Sequence, residues 1–295
     1  MADTLVARDY SEVVTYSFVD ARVDSLLSGS DSKLVLSNPI ASDMGVMRGS
    51  LWCGLIQAAA ENFARQRDRV RLFEIGRSYH GSAGKPVEVL RVAGLIAGTA
   101  LAEQWAVKAE RVDFFDIKSD VAALLGLTGC AQDFTFAALS HPALQPGQAA
   151  EIKRHGSPAG FLGKLHPAVA RTLDFRRDAF LFELDAEVAF AAAVPAAVAV
   201  SKFPSVRRDI AVLVREEVSA AELVAVASAS APALIREVRI FDVYRGPGVE
   251  AGLKSVALGL ILQETSRTLT DRDADSATDG AVRKLQQQFG AVLRD

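Results

Sequence analysis

The residues of this chain that could do chemistry mostly lack the companions that chemistry requires. Asp271, Asp273 and Asp275 alternate as the first three oxygen ligands of a calcium loop do. Such a loop also needs Gly at its sixth position and Glu at its twelfth. Here those places hold Ser276 and Val282, so the run reads as acidic residues and an N-cap ahead of a helix, a placement that the helix dipole favours. Gly246–Ser255 (GPGVEAGLKS) has the glycines of a phosphate loop, but Lys254 does not directly follow Gly252, and the spacer of that motif is absent. It reads as a hairpin turn between strands. His80, His141, His155 and His166 are scattered, with no HxxxH or HExxH pair, and Cys53 and Cys130 make neither a disulfide scaffold nor a zinc site. No Gly-x-Ser-x-Gly elbow is present. Glu74 and Glu183 sit in apolar strand-like runs. Buried carboxylates need partners, and an ion pair to Arg48 or Arg71 is expected for them rather than catalysis. No catalytic residue and no metal ligand is assigned.

The remaining chemistry is cationic. Arg207, Arg208, Arg245, Lys254 and Arg267 fall near strand ends in the last third, with Phe203 and Tyr244 among them. Cations and aromatics on an open sheet can pair phosphates and stack single-stranded bases. A solvated rim has the same composition. Residues 1–198 carry 20 Lys+Arg against 23 Asp+Glu, and residues 199–295 carry 13 against 13. Any nucleic acid must therefore be met by a local patch, not by bulk charge.

The elements that must position these residues are legible as periodicity. From Leu51 to Phe63 the apolar Leu51, Trp52, Leu55, Ile56, Ala59 and Phe63 recur three and four apart, one face of a helix. Val70–Tyr79 follows with apolar side chains on both parities, a strand covered on both faces. Glu12–Val19 reads as a strand, 21–27 as a helix, 33–36 as a strand, 81–86 as a turn and 89–97 as a strand. A helix is expected from Asp113, strands over 132–138, 148–154, 161–165 and 180–184, a loop over 141–147, and a short helix opened by His166-Pro167. Many strands with few helices between them make an α+β layer with a mostly antiparallel sheet. The Ala/Val-rich stretch 186–200 is the expected boundary, placed at residue 198. Beyond it come a strand over 208–214, a helix with the capping box Ser219/Glu222, strands over 235–244 and 255–263, and a helix over 276–289. That order is βαββαβ, the ferredoxin-like arrangement. No apolar run is long enough to span a membrane, and a cytoplasmic location is expected.

Several blocks carry a resemblance. They are EVVTYSFV, SNPIASDMGVMRGSL, RVRLFEIG, HPALQPGQAAEI, GKLHP and FELD, then FPSVRRDIAVLV, FDVYRG and LILQETSRTL. Together they resemble the C-terminal part of the β subunit of bacterial phenylalanine–tRNA ligase. The resemblance implies a non-catalytic, class II synthetase-like sheet domain over 1–198 and a ferredoxin-fold anticodon-binding domain over 199–295. It implies a longer parent that joins phenylalanine to its tRNA using ATP and magnesium. In that parent, two catalytic α subunits assemble with two β subunits, and the upstream parts of β supply editing and metal binding. The implied partners are the α subunit, met through Asn38, Arg48, Trp52 and Asn62, and tRNA(Phe), met through Phe203, Arg207, Arg208, Tyr244, Arg245, Lys254 and Arg267. No cofactor is expected in this part. Class II chemistry needs an Arg after the second-motif strand and a late Gly-rich run ending in Arg to hold phosphates. Here Tyr79 is followed by His80-Gly81, and no Gly-x-Gly-x-x-Arg appears. A free-standing RNA-binding adaptor derived from a synthetase is the alternative.

Overall fold

A computed structural model describes residues 1–30, 33–82, 84–191 and 200–294. The chain divides into two compact units, Met1–Pro195 and Ala196–Asp295. The boundary expected at residue 198 lies outside the described residues.

The first unit runs α1 (Ala2–Val6), β1 (Ser11–Glu12), β2 (Phe18–Val19), α2 (Ala21–Leu27), β3 (Val46–Met47) and α3 (Trp52–Ala64). It continues with β4 (Val70–Ser82), β5 (Lys85–Ala97), α4 (Phe114–Gly126), β6 (Phe134–Ala138), β7 (Leu144–Arg154), β8 (Ser157–Leu165), α5 (Pro167–Thr172), β9 (Ala179–Asp185) and α6 (Ala186–Ala189). Seven strands form one sheet in the order β1-β4-β5-β9-β8-β7-β6. All neighbours are antiparallel except β1 and β4, which pair in parallel through Ser11 and Leu72. The sheet is therefore mixed, with its one parallel pair at the edge.

The double-sided pattern of β4 is explained by helices on both faces. Val70 and Leu72 pack with Leu51, Trp52, Leu55 and Leu181 under α3. Phe73 packs with Val92, Ile117, Leu124 and Phe182 under α4. At about 25 cal/mol per Å² of apolar surface removed from water, these two layers are the main source of the unit's stability.

Four expectations about elements are corrected. The strand expected over Glu12–Val19 splits into β1 and β2. Thr15, between them, gives its hydroxyl to the carboxylate of Glu74 at 2.7 Å instead of continuing a ladder. The strand expected over 33–36 is a single bridge, Val35 to Val46. The turn expected over 81–86 is narrower, because β4 and β5 stay paired out to Ser82 and Lys85. The loop expected over 141–147 already contains the start of β7 at Leu144, and Pro146 falls in a register shift between Leu144 and Ala149.

The second unit runs β10 (Val206–Arg215), α7 (Ala220–Ser228), β11 (Ile235–Tyr244), β12 (Leu253–Leu262), α8 (Asp271–Phe289) and β13 (Val292–Leu293). Its four strands lie in the order β11-β12-β10-β13, all antiparallel, which is the ferredoxin-like sheet. Ile210, Val212, Val214, Val256, Leu258 and Leu260 form one face with the inward side of α8, Ala274, Ala277, Ala281 and Leu285. Ser219 and Glu222 form the expected capping box of α7. Helix α8 begins at Asp271, five residues before its expected start. Its cap is Thr270, which accepts from the amide of Asp273, while the Asp273 carboxylate returns to the amide of Thr270. An Asp in place of the usual Glu or Gln closes this box.

Candidate nucleic-acid interface

In the first unit, the run Met47–Trp52 is turned inward. Arg48 Nη1 donates to Glu74 Oε1 at 2.8 Å and to Thr15 Oγ1 at 2.9 Å, and its Nε reaches the Arg77 carbonyl at 3.0 Å. Both charged partners are about 4% exposed in their side chains. Glu183 Oε2 accepts from Ser50 Oγ at 2.7 Å and from the Leu51 amide at 2.9 Å, at the start of α3. Burial pushes the Glu183 carboxyl above its ordinary range, while Arg91, Ser50 and Leu51 pull it the other way. Trp52 donates its indole N–H to the Phe182 carbonyl at 3.0 Å and stacks edge-on against Phe161. Asp24 accepts from the Gly49 amide at 2.7 Å. Ser78, fully buried, meets His80 Nε2 at 2.9 Å, and burial, followed by the nearby Arg91 guanidinium, depresses the His80 imidazole.

Each carboxylate on this face is engaged by internal donors, so the arrangement braces the β4–α3 junction. Two expectations change accordingly. Arg48 and Trp52 have no surface to offer a partner subunit, being 3% and 0% exposed. Of the four residues expected at that interface, Asn38 is exposed, and Asn62 is half-buried with its amide on the Ala58 carbonyl. Glu74 pairs with Arg48 as expected, but Arg71 does not serve either glutamate; it pairs with Asp120 at 2.9 Å.

In the second unit, register decides which side chains share a face. Arg207 and Glu237 lie opposite Ile261, Asp209 and Arg239 opposite Gly259, and Leu213 and Tyr244 opposite Ser255. All of these are one residue out of step with the core positions Val256, Leu258 and Leu260, so they lie on the face away from the helices. The central strand presents Ser255, Ala257, Gly259 and Ile261 there, a low floor. The space above Gly259 is occupied by the Arg207 guanidinium and the Asp209 carboxylate, either of which a Cβ would meet at about 3.1 Å. On this floor Arg207 lies over the Phe241 ring at 5.1 Å, and Arg294 over the Tyr244 ring at 5.0 Å. Phe241 is 52% exposed. It follows Ile240, which lies opposite Leu258, and so faces away from the core, and the bulge between Ile240 and Asp242 then brings Tyr244 opposite Ser255 on the same face.

Of the seven residues expected to touch RNA, the structure brings Arg207 and Tyr244 onto this face. Arg208 points to the opposite face, where Asp271 and Asp275 at the start of α8 hold it at 2.7 and 3.1 Å. Lys254 is 8% exposed and spends its ammonium on the Glu216 carbonyl. Arg267 braces the α8 cap through Asp273 and Glu264, and this pairing holds the Asp273 carboxyl well below the usual carboxylate range. Arg245 is exposed but paired with Glu216. Phe203 is half-buried ahead of β10, with its carbonyl accepting from Gln263. Sequence reasoning missed Phe241, Arg239 and Arg294 as members of the face. The signal for Phe241 was ordinary strand alternation: Ile240 lies opposite the core residue Leu258, so its neighbour Phe241 faces the other way.

Comparison with known proteins now meets this geometry. Residues 1–186 match the family described as phenylalanyl tRNA synthetase beta chain CLM domain, and residues 201–294 match the ferredoxin-fold anticodon binding domain. A phenylalanine–tRNA ligase beta subunit of Methylococcus capsulatus is 46% identical over 293 residues, covering 99% of this chain and 37% of the relative. Beta subunits of Pseudomonas putida and Nitrosococcus oceani are 43% and 42% identical, covering 98% and 99% of this chain and again 37% of each relative. The chain thus spans a little over a third of the length of these curated relatives. A solved pyrrolysyl tRNA synthetase of Desulfitobacterium hafniense overlaps 64% of this chain and 62% of its own at 14% identity and a TM-score of 0.49, too slight an overlap to argue from. With one family matched across 1–186 and an α+β sheet unit followed by a ferredoxin-like unit, the chain belongs to the phenylalanyl tRNA synthetase beta chain family.

Proposed function

We propose that this chain serves phenylalanine–tRNA ligation without catalysing it. The second unit binds the anticodon region of tRNA(Phe), and the first unit is a scaffold for the catalytic α subunit in the cytoplasm, within an assembly of two α and two β subunits. The first unit is then a class II synthetase-like sheet that has lost its phosphate-holding arginines, and ATP and magnesium are held elsewhere in the whole ligase. The observation that carries the RNA reading is the open face of the β10–β13 sheet. Two aromatic rings, Phe241 and Tyr244, lie there under arginines, beside the small residues Ser255, Ala257 and Gly259 of the central strand. Base stacking on such rings is worth about 1–3 kcal/mol per base. The match of residues 201–294 to an anticodon binding domain supports the same reading.

The test is binding of the chain to tRNA(Phe) at two salt concentrations, followed by anisotropy, with a tRNA of altered anticodon as control. Tight binding to the correct anticodon that weakens steeply with salt is expected. Tyr244→Ala should weaken it by about five- to a hundred-fold. Equal binding to both tRNAs, unaffected by that substitution, would remove the open face from the account. ATP–pyrophosphate exchange by the chain alone is expected to be absent, and finding it would overturn the non-catalytic part.

A further inference from the structure

One end of the first unit carries two adjoining grooves that the reading above does not use. The larger, about 870 Å³, lies between the α3–β4 joint (Gln66–Arg69) and the loop from Gly98 to Arg111. The smaller, about 530 Å³, continues past Arg111 and Arg177 to Arg171 beside α5. Seven cations and four carboxylates line the pair, in a part of the chain where acids outnumber bases.

Pairing separates these cations from an ordinary salt-bridged rim. Among the described residues of this unit, the only arginines in no ion pair are Arg22, Arg67, Arg111 and Arg171, and three of these four border the grooves. Of the four carboxylates, Asp178 pairs with Lys164 at 3.0 Å and Asp68 lies 3.9 Å from Arg177.

The two ends of the loop beside them are clasped together. Ala100 N donates to the Glu110 carbonyl at 2.8 Å, Val112 N donates to the Gly98 carbonyl at 3.1 Å, and Arg69 reaches the Ala100 carbonyl at 3.3 Å. Gly98, at φ +95°, is required here because a Cβ would run into the Asp68 carbonyl. The loop projects Trp105, 98% exposed, although tryptophan is among the more buried residue types on average.

We infer that these grooves bind a second stretch of single-stranded RNA, with phosphates on Arg67, Arg111 and Arg171 and a base stacked on Trp105. Planar guanidinium groups with no acidic partner suit phosphate oxygens. A positively charged groove beside an exposed aromatic ring is the arrangement that tracks a single strand. The choice of RNA over another polyanion rests on the function proposed above.

The chain has two tryptophans, and Trp52 is fully buried, so quenching of the solvent-exposed emission reports on Trp105. The experiment titrates the whole chain with a mixed-sequence single-stranded RNA oligonucleotide, in the wild type and in Tyr244→Ala. Saturable quenching is expected in both. In Arg67→Glu/Arg171→Glu its half-point should rise on the order of ten-fold or more, with a shallower salt dependence. Trp105→Phe should abolish the signal. No quenching, an unchanged half-point in the double variant, or equal quenching by poly-glutamate would overturn the inference. Loss of quenching in Tyr244→Ala would transfer the signal to the open face of the second unit and also overturn it, whereas intact quenching with no anticodon preference would fail only the earlier reading.

Discussion

Arg48 shows what a motif residue is for when it does no chemistry. Its guanidinium joins Glu74, Thr15 and the Arg77 carbonyl inside the first unit, tying the segments before β2 and before α3 to the interior of β4. Removing one partner leaves the other charge buried without compensation, so Arg48→Ala should cost about 3–5 kcal/mol in urea unfolding. Arg176→Ala, whose pair with Asp174 is exposed on both sides, should change stability by no more than about 0.5 kcal/mol. Equal costs would mean that the buried pair is not the brace described. Glu183 makes a pH prediction at the same scale. Burial raises its folded pKa above the ordinary 4.5, so the folded chain keeps a proton that the unfolded chain has lost. Stability from this group therefore falls as pH rises from 4.5 through the raised value and is flat above it. Glu183→Gln keeps an acceptor for Ser50 and Leu51 but has nothing to titrate. The stability of the variant relative to wild type should climb with pH across that window, as read by unfolding at a series of pH values. A flat difference would place the ionisation of Glu183 elsewhere.

At the scale of elements, much was readable because periodicity reports burial. The bounds of α2 and β11 were read to the residue, since each has a sharp start and stop in its apolar pattern. What failed was decided by partners distant in sequence. Thr15 leaves its strand for a carboxylate 59 positions away, and no local pattern announces that. Arg207 and Arg208 are neighbours in sequence yet serve opposite faces of one sheet, so a cluster of cations by position was not a cluster in space. Strand alternation separates them, and their partners on β12, Ile261 for Arg207 and the core residue Leu260 for Arg208, decide which of the two faces the helices. Gly54 illustrates the same coupling. A glycine inside a 13-residue helix should be improved by alanine by about 1 kcal/mol on propensity alone. Here the added Cβ would collide with the Thr15 side chain, whose hydroxyl helps hold Glu74. Gly54→Ala should therefore destabilise the chain by about 1–3 kcal/mol, and a stabilised variant, scored by thermal melting, would show that Thr15 gives way freely.

At the scale of the whole molecule, the division of labour follows from the division of cores. The clusters on the two faces of the seven-stranded sheet contain residues of the first unit alone, and the cluster under α7 and α8 contains residues of the second alone. A core that closes on itself confers its own cooperativity, so calorimetry should resolve two unfolding transitions. Leu258, fully buried in the second core, provides the assignment. Leu258→Ala should cost about 2–5 kcal/mol, which for a unit of this size moves its own transition down by roughly 8 °C or more. Leu95→Ala, in the first core, should move only the other. A single transition shifted by both substitutions would show that the two cores unfold as one. Separate unfolding would let RNA binding be assigned by temperature. Tyr244-dependent binding should vanish with the transition that Leu258→Ala lowers, and Trp105 quenching should persist or vanish with the transition that Leu95→Ala lowers. Two RNA-facing surfaces on two independently folded bodies can then engage one strand at separate points, and affinity for a strand long enough to reach both should exceed that for either short piece by the effective-concentration effect of linked sites.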